Sequence, residues 1–307
     1  MVLGGRTSAW SSSGPEGPPG AEGSPGTFSA RFPSAFVTGG SSGLGRVLAG
    51  ALRAEGVEVW VCGRDRRKIG ALGEGVRPVS LDLARRAEVD AFLADPPWAE
   101  TPVLLVNNAG FGQFGGIGTI PDADLVAQAT AMFESALRLC RRFLEPRREG
   151  PAPAVVNVSS LAVEFPLPLL HGYNAVKGGL SGFSRSLAVE FPGGPGQPFV
   201  IDLRPGDFRT GFNDAVLRPS AADAGARAVW EALEHHLRNG ADPAAIWPPV
   251  RRALVRGRSR TLRVGTFFQA RVAPFLGRCF PENVVAWAHR RYYRVGGRDS
   301  APGGAAR

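Results

Sequence analysis

Seven short apolar runs, separated by longer segments of helical period, constrain this chain more than any other feature. The runs fall at 35–38, 57–62, 76–81, 102–106, 154–159, 199–204 and 260–264. Between them the spacing predicts helices over 43–55, 65–72, 85–95, 122–144 and 173–191, then near 221–238 and 243–256. Continuous apolar strands alternating with helices are the pattern of parallel strands joined by crossovers. The expected architecture is therefore α/β: a single doubly wound parallel sheet with helices on both faces. At 307 residues and 44% apolar content, one large core suffices.

In such folds ligands bind beyond the carboxyl ends of the strands, and three such ends carry informative residues. After Ala35-Phe36-Val37 comes Thr38-Gly39-Gly40-Ser41-Ser42-Gly43-Leu44-Gly45, which opens the helical pattern Leu44, Val47, Leu48, Leu52. A glycine-rich turn from strand to helix brings the backbone close to a pyrophosphate, and the helix N-terminus offers N–H groups and partial positive charge. Ser160 closes the buried strand around Val155-Val156, so its hydroxyl lies at a ligand-binding edge. Thirteen positions on stands Tyr173, followed four residues later by Lys177. The chain has three tyrosines and only two lysines, Lys68 and Lys177, among its 36 basic residues. A position wanting only positive charge would have received Arg, so Lys177 is read as chosen for its ammonium. Residues four apart share a helical face, so the cation is expected beside the phenol, lowering its pKa from about 10 and making an acid/base catalyst.

With these motifs the chain resembles the short-chain dehydrogenase/reductase family over about residues 33–265, and more loosely the branch with steroid and retinol dehydrogenases. The family's TGxxxGxG turn falls on Thr38, Gly39, Gly43 and Gly45, with Ser41 and Leu44 inside it. Its Asn-Asn-Ala-Gly falls on Asn107 to Gly110, its catalytic trio on Ser160, Tyr173 and Lys177, and its Pro-Gly…Thr element on Pro205, Gly206 and Thr210. The resemblance implies a Rossmann-like fold and a nicotinamide-dependent oxidoreductase. It places Asn108, Ala109 and Gly110 against the adenosine half of the cofactor and Asp82, with Leu83 after it, at the adenine. Asp82 also suits a capping role for the following helix. Resemblance further implies that Lys177 reaches the nicotinamide ribose and that the long helices 122–144 and 173–191 pair subunits into a homo-oligomer.

A ketone accepting hydride develops negative charge on oxygen, so a proton donor and a second hydrogen bond are needed there. Tyr173 is assigned the first and Ser160 the second. Cofactor choice turns on Gly63-Arg64: no acid is present to bind a ribose diol, and a guanidinium suits a 2′-phosphate. NADP is expected over NAD, with Asp65 as the competing ribose ligand. One departure from the family is Met132, which stands where many members place a proton-relaying asparagine; Ser135 is the candidate substitute. That departure keeps open the alternative of a cofactor-binding sensor or scaffold with vestigial chemistry.

The ends of the chain differ in kind. Residues 1–30 are rich in Gly, Pro and Ser and are read as a disordered extension, as is the tail 299–307. From 251 onward, thirteen Arg stand against Glu282 and Asp299, a balance of +11 that leaves about −2 for the rest of a chain of net +9. Interleaved aromatics make residues 266–298 a helical extension with two uses: a lid over a small hydrophobic substrate, or a peripheral contact with an anionic membrane. The number of aromatics needing burial favours the lid, and the apolar loop 163–170 beside Ser160 agrees with such a substrate. No nucleic-acid motif accompanies the charge. No run reaches the ~20 apolar residues of a membrane span, and Cys62, Cys140 and Cys279 lack metal or disulfide spacing, so a cytoplasmic, reducing location is expected without a metal.

Overall fold

The computed structural model describes residues 25–70, 75–146, 149–212, 216–218 and 224–296. The expected disordered segments 1–24 and 299–307 lie outside the described residues. Seven strands, β1 (Ser34–Thr38), β2 (Glu58–Gly63), β3 (Val76–Ser80), β4 (Leu104–Asn107), β5 (Ala154–Val158), β6 (Phe199–Pro205) and β7 (Arg260–Val264), form one sheet in the order β3-β2-β1-β4-β5-β6-β7. Every pairing is parallel. The strand order reverses between β1 and β4, which opens a crevice above their carboxyl ends.

Alternation along the strands feeds two cores. Ala35, Val37, Val156 and Val158 point to one face, where α2 (Gly43–Ala54) and α9 (Trp247–Arg256) contribute Leu48, Leu52, Val250 and Leu254. Phe36, Leu105 and Val155 point to the other, packed by Phe92 of α4 (Arg86–Ala94), Leu139 and Phe143 of α6 (Ser135–Phe143) and Val176 of α7 (His171–Glu190). Strands covered on both faces need apolar residues throughout, which is why β4, β5 and β6 are buried at every position while edge strands β3 and β7 are not. Short α3 (Arg66–Gly70) and α8 (Ala224–Arg238) complete the crossovers.

Three differences from the sequence reading matter. Residues 25–30, assigned to the disordered extension, belong to helix α1 (Pro25–Arg31). Phe28 and Phe32 are buried, stacking edge-on against Trp247 and Phe199, and the Arg31 guanidinium donates to the Val255 carbonyl. Averaging over glycines and prolines hid two phenylalanines that fill the seam between α9 and β6. Second, the helix expected over 122–144 is α5 (Asp122–Ala129) and α6 joined by a π-helical turn, Thr130–Glu134. Such turns recur at functional sites. Third, the C-terminal extension is a π-turn at Phe268–Val272, then α10 (Ala273–Cys279) and α11 (Glu282–Tyr292). The aromatics expected to be buried there are largely not: Phe267 is 76%, Phe275 66% and Trp287 64% exposed. One face of each short helix meets the cleft and the other has nothing packed on it among the described residues.

Candidate active site

The crevice at the β1/β4 switch continues into a cleft of about 1060 Å³. At one end lies the glycine turn. Gly39 has a left-handed φ of 63°, and an added Cβ would lie 2.7 Å from the Ala109 Cα. Only glycine serves there, because the turn must both reverse and press against the Asn108–Gly110 loop. Gly43 and Leu44, the first residues of the twelve-residue helix α2, line the cleft, and Ser42 gives the helix no side-chain cap. This helix N-terminus, with Gly39 and Ser41 along the wall, suits a dinucleotide's pyrophosphate. Arg64, Asp82, Leu83, Asn108, Ala109, Gly110, Pro205, Gly206 and Thr210 line the same cleft.

Two expected cofactor residues do not. Thr38 is buried beneath the turn, where its hydroxyl accepts from the Asn108 and Ala109 N–H groups at 3.0 and 3.1 Å. Gly45 leaves room for the Asn108 amide, which an added Cβ would approach to 2.3 Å. Both residues hold the turn against the loop and do not line the cleft. Asp82 lines the cleft, and its carboxylate accepts from the Ala84 N–H at 3.0 Å, fixing the turn before α4. Asp65 is committed as well, accepting from the Arg67 and Lys68 backbone at the start of α3.

Further along stand Ser160, Tyr173 and Lys177, all lining the cleft. Ser160 caps a 3₁₀ turn, its Oγ accepting from Ala162 N at 3.0 Å. Helix α7 presents Tyr173 and Lys177 on one face, with Nζ 5.8 Å from the ring centroid. Lys177 Nζ donates to the Val158 carbonyl at 2.6 Å and lies over Gly110, where an added Cβ would be 3.5 Å away. The expected lowering of the Tyr173 pKa is corrected here. Burial pushes the phenol above its ordinary value, and the hydrogen bond to Ser160 only partly opposes this. The charge of Asp207 adds to the rise, and the same burial lowers Lys177 to about 8 against the pull of Asp202.

A short chain dehydrogenase family model matches residues 33–218. The chain belongs to the short-chain dehydrogenase/reductase family. A curated relative, 3-ketodihydrosphingosine reductase of Bacteroides thetaiotaomicron, is 25% identical over 278 residues, 85% of this chain and 97% of the relative. A short-chain dehydrogenase structure from Streptomyces avermitilis superposes with a TM-score of 0.69 at 26% identity, covering 86% of this chain and 96% of that one. An NAD complex from Burkholderia phymatum shares the fold at a TM-score of 0.68 and 22% identity, covering 85% and 96%.

This short-chain dehydrogenase is thus an oxidoreductase of CH–OH and C=O groups. Met132 sits in the π-turn, buried, with its thioether 3.4 Å from the Phe111 N–H. Ser135, the candidate substitute for the relay asparagine, is buried, and its hydroxyl donates to the Leu83 carbonyl at 2.8 Å. Behind Lys177 lies a buried ionic network, in which Asp202 accepts from Ser159, Ser181 and Arg204, and Arg204 reaches on to Glu164. Asp207 and Gln113 also line the cleft. Polar residues at irregular strand ends carry no periodicity, so no sequence signal marked them.

Proposed function

We propose that the chain reduces a hydrophobic ketone, or oxidises the matching secondary alcohol, with NADP(H). The observation carrying this reading is that Ser160, Tyr173 and Lys177 line one cleft together with the glycine turn and a set of apolar side chains that form a chamber. When bound, the nicotinamide supplies or accepts the hydride. Tyr173, neutral at pH 7, donates its proton to the carbonyl oxygen, and Ser160 steadies that oxygen with a hydrogen bond. Lys177 holds its ammonium near the Tyr173 ring and favours the phenolate left after transfer.

The apolar chamber is walled by Leu170, Phe212, Trp230, Phe280 and Val284. Its last two walls come from α10–α11 and the turn between them, which supports a lid. A curated relative named for a long-chain ketone substrate supports the same substrate class. Preference for NADP is supported by Arg64, exposed at the cleft beside Gly63, and by the engagement of Asp65 with α3. The test is NADPH absorbance against a panel of medium- and long-chain ketones. Loss of absorbance that depends on chain length carries the reading; no turnover with any of them overturns it.

A further inference from the structure

The loop after β6 carries a carboxylate, Asp207, that is not part of the catalytic trio. It lines the cleft on the chamber side of Tyr173, close enough that its charge is felt by Tyr173, Tyr292 and Tyr293. Its surroundings are mostly apolar and aromatic. A carboxylate has about four acceptor sites, and Asp207 uses one: Gln269 Nε2 donates to Oδ2. Gln269 also accepts from the Asp207 N–H at 3.1 Å, so the π-turn of the extension clamps this residue from both sides. Gly206 makes the clamp feasible, since an added Cβ would lie 2.7 Å from Gln269 Oε1.

No lysine or arginine among the described residues pairs with Asp207. Arg204, three positions back, is held by Asp202 and Glu164. His236, whose ring stacks on Tyr292 at 3.9 Å, acts on Asp207 electrostatically but forms no ion pair with it. A carboxylate placed in an apolar chamber without a cation is costly unless something supplies the charge or donors. Burial accordingly pushes its pKa up. The cost is tolerable where the ligand brings the partner.

Resting on the proposed ketone chemistry, we propose that Asp207 is the specificity residue of the chamber, and that the substrate is an amino ketone: an apolar chain bearing a protonated amine near the reacting carbonyl. Asp207 would hold the ammonium, and so fix which end of the chain faces Tyr173. The clamp by Gln269 means that the extension sets the carboxylate's position as well as the chamber's wall.

Two measurements decide this, one of them independent of turnover. In the NADPH-loaded protein, octylamine and octan-1-ol are compared as ligands by calorimetric titration and by shift in Tm. The amine should bind at least about tenfold more tightly, the scale of a hydrogen bond to a charged group. In Asp207→Asn, which keeps an acceptor for Gln269, that preference should vanish. Absence of the preference in the natural protein, or its survival in Asp207→Asn, overturns the proposal even if ketones are reduced. In turnover, 1-aminooctan-2-one is compared with octan-2-one. Asp207→Asn should lower the ratio of their kcat/KM values at least about tenfold, chiefly through KM; an unchanged ratio overturns the proposal. Should no ketone be reduced, the reading of the reaction fails, and the ligand titration still judges Asp207.

Discussion

Tyr173 and Lys177 share one desolvated pocket, and their opposite pKa shifts set the pH response. The Tyr173 phenol is raised and stays protonated as a donor throughout the neutral range. Lys177, lowered to about 8, is charged below that pH and loses its charge above it. Reductive kcat/KM, which reports the free enzyme, should therefore hold near pH 7 and fall as pH rises through about 8. A profile flat to pH 10 would contradict the role given to Lys177. Tyr173→Phe should abolish turnover while NADPH binding stays within a few-fold, because one proton donor and little surface are lost; activity within tenfold of normal would remove Tyr173 from the mechanism. At the cleft's other end, Arg64→Ala should weaken NADPH by about 1.5–3 kcal/mol, as for hydrogen bonds to a charged group. NADH should change little. Equal losses in a titration of both cofactors would show that Arg64 does not read a 2′-phosphate.

Among the elements, α1 and the C-terminal helices carry the clearest expectations. Phe32 is fully buried between α1 and β6, so Phe32→Ala should cost about 3–5 kcal/mol of unfolding free energy through the cavity it leaves. Urea denaturation measures this, and a cost under 1 kcal/mol would mean that α1 is an ornament on the core. For α10–α11, deletion of residues 266–296 should raise KM for long ketones far more than for acetone-sized ones, because Phe280 and Val284 then leave the chamber wall. The outer face of the same segment, with Phe267, Phe275 and Trp287 exposed, supplies the rival expectation. Salt-sensitive sedimentation with phosphatidylserine vesicles, combined with unchanged kinetics after truncation, would make the segment a membrane contact and not a lid.

For the whole molecule, the outer face of α7 predicts association. Gly178 and Gly182 sit mid-helix, each with open space where a Cβ would be. Val189, further along, is 85% exposed. Mid-helix glycine costs roughly 0.5–1 kcal/mol relative to alanine, and nothing among the described residues packs against either position. The expected homo-oligomer would bring a second copy against this face. Light scattering after gel filtration should give a multiple of the 32.4 kDa chain mass, and Gly182→Arg should reduce it to the monomer. A natural protein that elutes as a monomer would sink this expectation.

The strand runs, the glycine turn and the Ser160, Tyr173, Lys177 spacing were legible in the sequence because each is a local rule. Period-2 and period-3.6 patterns, a turn that only glycine can make, and residues four apart on a helix all act within one element. Strand β7 was placed at 260–264, as observed. Tertiary structure alone decided the rest. Thr38, expected at the ligand, is a buried brace because the Asn108 loop packs on it, and the Tyr173 pKa is raised because burial, invisible in the spacing, outweighs the hydrogen bond to Ser160. The Asp202–Arg204–Glu164 network and the Gln269 clamp on Asp207 join residues up to 62 positions apart. Such pairs form only where the folded sheet brings separate loops to the same edge, and no local pattern encodes them.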